Sequence, residues 1–209
     1  MGLDMYLYRC HDSYSADDLT SIHNYICWAV KKCNDPYTES YSEWCGEDES
    51  DMRDRGIPEL AVNYINAYGT VDYGDGYYGI FESVGYWRKA NQIHGWLVDN
   101  VQCGVDDCKI HVVQEWAIRE LLRICEEVKS IAVMKPGVRK YEQNYDVPDV
   151  IENWEEVAKL LPTTHGCFFG STEYDGWYMD DIDDTIKILK KILAETDFEE
   201  YVILYRSSW

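Results

Sequence analysis

His165 stands ahead of Glu173, Asp175, Asp180 and Asp181 in the run HGCFFGSTEYDGWYMDD. An imidazole with several carboxylates can hold a divalent cation or exchange protons with a substrate, so a small metal-dependent hydrolase using His165, Glu173 and Asp175 is one reading. A plainer reading takes Asp175-Gly176 as a turn and Asp180 to Asp184 as first-turn acids of a helix, where the helix dipole favours negative charge. Cys103, Cys108 and His111 form C-x4-C-x2-H, which Cys45 or His165 could complete as a zinc set. Structural zinc sites use two short knuckles and only one is present, so core or surface thiols account better for these cysteines. Gly74, Gly76 and Gly79 match the dinucleotide pattern G-x-G-x-x-G, but an apolar strand before it and a helix after it are missing. Turn glycines of a hairpin explain that pattern. The segment YWRKANQIHGW gathers Trp87, Arg88, Lys89 and His94. At helical spacing these rings lie beside cations and the amides of Asn91 and Gln92, a mixture able to stack a base and hold a phosphate. No motif here implies a cofactor, and none implies a bound metal.

These residues must be positioned by elements that periodicity predicts. Leu3 to Arg9 reads as a strand. Ser15 caps a helix running to about Lys32, with Leu19, Ile22, Ile26, Ala29 and Cys33 on one face. From Asp35 to Asp54 there are eight acids, one base and little periodicity, which predicts an exposed acidic loop or insertion around residues 35–56. Helices are expected over Pro58 to Ala67, Tyr86 to Val101, Ile110 to Val128, Val150 to Leu161 and Asp180 to Ala194. Short strands are expected at Cys167 to Gly170 and Tyr201 to Tyr205, with a turn-rich hairpin after residue 69. Many helices and few strands, two of them near the termini, predict an α+β fold in which several helices pack on a small, largely antiparallel sheet. Residues 1–209 read as a single domain.

Charge narrows the partners. The chain has 39 acids against 19 Lys and Arg, a net charge of −20, which repels nucleic-acid phosphates and anionic lipid and attracts basic protein surfaces. Residues 142–184 hold twelve acids and one base, so the charge is concentrated rather than uniform. No apolar run approaches the ~20 residues of a membrane span, and the start lacks the apolar core of a signal peptide. Together with eight cysteines, several on apolar helix faces, this predicts reduced thiols and a cytoplasmic protein. The 18 Tyr and 8 Trp suit a binding surface or a ring-lined pocket.

MGLDMYL, YWRKANQIHGW, LLPT, FFGSTEYDGWY and YRSSW together resemble a family of proteins encoded by bacteriophages and prophages. The resemblance covers most of the chain outside residues 10–60. None of these strings is a catalytic signature, so no functional residue is carried over. A phage origin implies an inhibitor of host defence, of which anti-CRISPR proteins are an example. On that reading the protein is a non-enzymatic, cytoplasmic binding protein acting in the host bacterial cell. Its carboxylates would mimic a polynucleotide for a host protein with a basic nucleic-acid-binding groove. Glu47, Asp48, Glu49 and Asp51, with Glu152, Glu155 and Glu156, are the expected partner-binding residues. The alternative is a sponge that sequesters a nucleotide immune signal through Trp87, Arg88, Lys89 and His94.

Overall fold

The first strand shows how the sequence builds the fold. Alternating side chains divide the opening segment into Leu3, Met5 and Leu7 on one side and Tyr8 and Cys10 on the other, and both sides are covered. In the computed structural model, which describes residues 2–74, 76–137 and 148–209, this strand is β1 (Asp4–His11). It is followed by helices α1 (Ala16–Asn34), α2 (Tyr41–Cys45), α3 (Glu49–Asp54) and α4 (Ile57–Tyr68), and by strands β2 (Val71–Asp72), β3 (Tyr78–Gly79) and β4 (Glu82–Arg88). Then come α5 (Asn91–Asn100), β5 (His111–Val113), α6 (Glu115–Ile131), β6 (Met134–Lys135), β7 (Val150–Ile151), α7 (Trp154–Leu160), α8 (Gly176–Glu195) and β8 (Tyr201–Ser208).

The main sheet has the order β4-β1-β8-β5 and every pairing is antiparallel. Met5 lies opposite Trp87 on one side and Ser207 on the other, so the two ends of the described chain meet mid-sheet. Helices cover both faces. One core joins Met5, Leu7, Trp87, Ile203 and Tyr205 to the apolar stripes of α5, α6, α7 and α8. The other joins Cys10, Phe81 and Leu204 to α1, α3 and α4, with Tyr41 of α2. This is the α+β arrangement expected, with helices on a small antiparallel sheet.

Several local expectations are corrected. Residues 35–56 are not an irregular loop: Ser40 and Glu43 form a reciprocal capping box for α2, and Asp48 caps α3. Their anchors, Tyr41 and Met52, are too far apart to produce a visible period, yet both are buried. Tyr86 to Val101 is not one helix. Tyr86, Trp87 and Arg88 end β4, and α5 begins at Asn91; Trp87 and Ala90 imitate a helical step because strand and turn both bury them. Ile110 precedes β5 and His111 to Val113 form it, rather than starting α6, and Val150 belongs to β7 rather than α7. Cys167 to Gly170 carries no strand, because Phe168 and Gly170 take φ values of +67° and +93° that no ladder accepts. The last helix begins at Gly176 with Asp175 as its cap, so Asp180 to Asp184 lie beyond the first turn.

Gly74 and Gly76, at φ +80° and +78°, turn the β2–β3 hairpin, and a strand rather than a helix follows them. Among the described residues all eight cysteines are free, and no helix is long and apolar enough to cross a membrane.

Candidate ligand-binding cleft

The junction of β4 and α5 is unusual in its backbone. Lys89 has φ +65°, a left-handed conformation that a side chain with a Cβ rarely adopts, held by its amide donating to the Leu3 carbonyl at 2.8 Å. Asn91 follows, 1% exposed, and its amide is fully used. Nδ2 donates to the Phe169 and Ser171 carbonyls at 3.3 and 2.7 Å, and Oδ1 accepts from the Thr164 amide at 2.9 Å. One side chain thereby binds the irregular segment 162–175 to the start of α5. Gly170 packs so closely that a Cβ there would stand 3.0 Å from Lys89 Cβ, at a φ suited to glycine.

Between this junction and the start of α8 lies a cleft of about 280 Å³ lined by Arg88, Lys89, Gln92, Asp175, Trp177 and Asp181, with Thr163, Ser171 and Glu173 at its sides. Gln92 is 2% exposed and its Nε2 donates to Asp181 Oδ2 at 3.1 Å. Burial pushes the Asp181 carboxyl up to about 6, and the negative neighbours Asp180, Asp184 and Asp175 add to this; the Gln92 amide pulls the other way. Burial also raises Asp175, although its Oδ1 accepts the Trp177 and Tyr178 amides as the α8 cap. Arg88 reaches Asp4 only at 3.9 Å, and Lys89 has no ion pair among the described residues. Trp177 is exposed. The cleft thus combines a buried, acceptor-rich floor, two available cations and an open aromatic face.

Two other cavities are less suited to a charged ligand. One of about 450 Å³ is lined by His94, Asp106, His165, Phe169 and Trp209; there His94 is already held between the Tyr205 hydroxyl (2.7 Å) and Asp106 (3.0 Å). The larger groove, about 820 Å³, opens over the opposite core and includes Ser21, His23, Glu47, Arg55 and Arg206. There Arg55 donates to Asp18 at 2.7 Å and to Ser21 at 3.2 Å, and Tyr41 donates to Glu47 at 2.6 Å. Burial holds His23 down to about 4, with the Arg206 charge contributing, so its ring is neutral and stacks on Phe81. Apart from Arg206, the charged and hydrogen-bonding groups of this groove largely satisfy one another.

The expected sites are redistributed by the fold. Of Trp87, Arg88, Lys89 and His94, only the two cations reach the cleft. Trp87 is 4% exposed and donates Nε1 to Thr185 at 2.9 Å, because successive strand residues face opposite ways; His94 is 1% exposed and turns to the neighbouring cavity. His165 lines that second cavity while Glu173 and Asp175 line the cleft, so the constellation expected of a hydrolase is not gathered in one cavity. His111 Nε2 is paired with Asp107 at 2.9 Å, and among the described residues no three His, Cys, Asp or Glu side chains form a metal cluster.

The acidic sets also have local roles. Glu47 accepts from Tyr41 and Ser21, Asp48 caps α3, Glu49 pairs with Arg53 and Asp51 lies near Arg55. Glu152 pairs with Lys135, and Glu156 accepts from Asn153. Glu155 is exposed. The first set lies between α2 and α3 and on α3, over one core, and the second on α7 or just before it, over the other, on opposite faces of the sheet. Glu142 and Asp146 of the second acidic region lie outside the described residues.

No family model, curated protein or solved structure matches the chain.

Sequence reading overlooked Trp177 and the pairing of Gln92 with Asp181. Trp177 and Asp181 are four apart at the start of α8, beside the buried stripe of Tyr178, Ile182 and Thr185. That i, i+4 relation was available from sequence.

Gly95 acquires a reason here as well. Glycine inside a helix costs roughly 1 kcal/mol relative to alanine. A Cβ at this position would run into the Thr164 hydroxyl, and the amide of Thr164 is fixed by Asn91. Gly95→Ala is therefore expected to lower the melting temperature by a few degrees, on the order of 1 kcal/mol, despite its better helix propensity. Adding Thr164→Ala should recover part of the loss; a simple gain from Gly95→Ala in calorimetry would contradict the packing argument.

Proposed function

We propose that this is a binding protein that captures a small nucleotide-like ligand in the cleft between β4, α5 and α8. One observation carries the reading: a half-buried carboxylate, Asp181, and a buried amide, Gln92, lie in the same cleft as two available cations, Arg88 and Lys89, and the exposed ring of Trp177. The cations suit a phosphate, the ring a base face, and the floor a polar base edge. Such a local pocket is compatible with an overall charge of −20, since the field at short range follows the nearest groups. With the phage resemblance, the reading becomes sequestration of a host nucleotide signal rather than its chemical conversion.

A panel of nucleoside monophosphates tests this by thermal shift and titration calorimetry. A ligand at about 100 times its Kd should raise stability by about 2.7 kcal/mol, several degrees for a chain of this size. Replacing Arg88 and Lys89 together by Ala should weaken binding about tenfold and flatten its salt dependence, while leaving the fold intact because both side chains are exposed. Absence of any nucleotide-induced shift would remove the proposal. Salt-sensitive capture of a basic nucleic-acid-binding protein, abolished by neutralising the two acidic sets, would put polynucleotide mimicry in its place.

A further inference from the structure

We propose that the large groove over the opposite core is a second, independent site and binds a neutral oligosaccharide. Its charge is unlike that of the chain as a whole. Asp17, Asp18 and Glu47 are balanced there by Arg55, Lys109 and Arg206, and His23 is held neutral by burial, whereas the full sequence has 39 acids against 19 Lys and Arg. Arg55 is paired with Asp18 at 2.7 Å, and Lys109 reaches Asp107 at 3.7 Å. Asp17 and Arg206, which have no ion pair among the described residues, are opposite in sign. The lining therefore offers an ion of either sign as much repulsion as attraction.

The same groove is rich in open hydrogen-bonding groups. The Tyr8 hydroxyl, the Asn24 amide and the Trp44 indole N–H have no partner among the described residues, and none is among their buried atoms without one, so water reaches them. Each oxygen of Asp18 and Glu47 accepts one side-chain bond and keeps a second lone pair. An apolar ligand would strip water from these groups and replace none of its bonds. A sugar hydroxyl both donates and accepts, so a row of hydroxyls can answer phenol, amide, guanidinium and carboxylate alike. The apolar face of a sugar ring needs aromatic carbon, which Trp44 and Tyr8, stacked on Phe81 at 5.5 Å, supply. At about 820 Å³ the groove falls in the range of small-molecule sites. A peptide added as a further strand is another neutral polar chain, but it needs a sheet edge. Tyr8 and Arg206 stand instead on β1 and β8, the inner strands of the sheet.

Titration calorimetry of the full chain with maltotriose, cellotriose, mannotriose and chitotriose makes the test. At least one is expected to bind, with an affinity that changes less than about twofold between about 50 and 500 mM NaCl, because the ligand carries no charge to screen. Tyr8→Phe combined with Asn24→Ala should weaken that binding about tenfold. The fold should survive, since phenylalanine keeps the ring on Phe81 and Asn24, half-buried, has no partner to lose. Replacing Arg88 and Lys89 by Ala at the other cleft should leave sugar binding unchanged. Failure of all four trisaccharides, or binding that survives Tyr8→Phe with Asn24→Ala, overturns the proposal and leaves nucleotide capture standing. Binding that falls steeply with salt overturns it as well, because the groove would then be reading charge.

Discussion

Asn91→Ala is expected to cost about 3 kcal/mol and to lower the melting temperature by roughly 10 °C. The substitution removes one acceptor and two donor contacts, those to the Thr164 amide and to the Phe169 and Ser171 carbonyls. Alanine keeps the helix but supplies none of these, and backbone groups ordered against a 1% exposed position regain water only if the segment lifts away. The effect should exceed that of an exposed polar substitution because it leaves partners unmet rather than merely deleting a bond. It should also reach the cleft, since Gly170, which packs on Lys89, and Ser171 belong to the same strapped segment. Thermal denaturation gives the global cost, and hydrogen exchange at the Thr164 amide shows whether the strap opens first. A loss below about 2 °C, with that amide still protected, would mean Asn91 is not the fastening.

That fastening illustrates what a linear reading can and cannot see. The strands at the two termini, the Ser15 cap, α1, α4 and α8 followed from alternation, capping and a 3.6-residue period, because each signal lies within one element. The α+β architecture followed from their order. The cleft has no such local mark. Gln92 and Asp181 are 89 positions apart, and each has an ordinary role when viewed alone: an amide in a first helical turn and one acid among several. Asp175 was visible as a turn residue, and its capping role is chemically close to that, but its burial beside Asp181 depends on how α8 meets α5. The acidic segment 35–56 failed for another reason. Its acids suggested solvent, whereas Asp48 and Glu43 are caps and two widely separated residues, Tyr41 and Met52, supply the burial. Charge density reported the exposure of most of these acids there, but not the short helices that they cap.

Asp181→Asn should stabilise the protein at about pH 8 by on the order of 2 kcal/mol, raising the melting temperature by several degrees, and should give almost no difference near pH 3. The sign follows from the direction of the shift. Burial raises this carboxyl to about 6 in the folded chain, above its ordinary 3.8. Below pH 4 both states hold the proton and the group is neutral to folding. Between about pH 4 and 6 the unfolded chain ionises first, so the fold loses stability as pH rises, and above 6 it carries a constant cost. Asparagine has no charge to desolvate, and its oxygen can still accept from Gln92 Nε2. Burial sets this direction, the Gln92 hydrogen bond opposes it, and the like charges of Asp180, Asp184 and Asp175 add to it. Melting curves of the two proteins from pH 3 to 8 isolate the effect, because every other titration cancels in their difference. An offset that is constant with pH, or of opposite sign, would show that Asp181 is comfortable where it stands. The predicted divergence would instead mark a carboxylate retained at the expense of stability, a cost of the kind that binding sites carry.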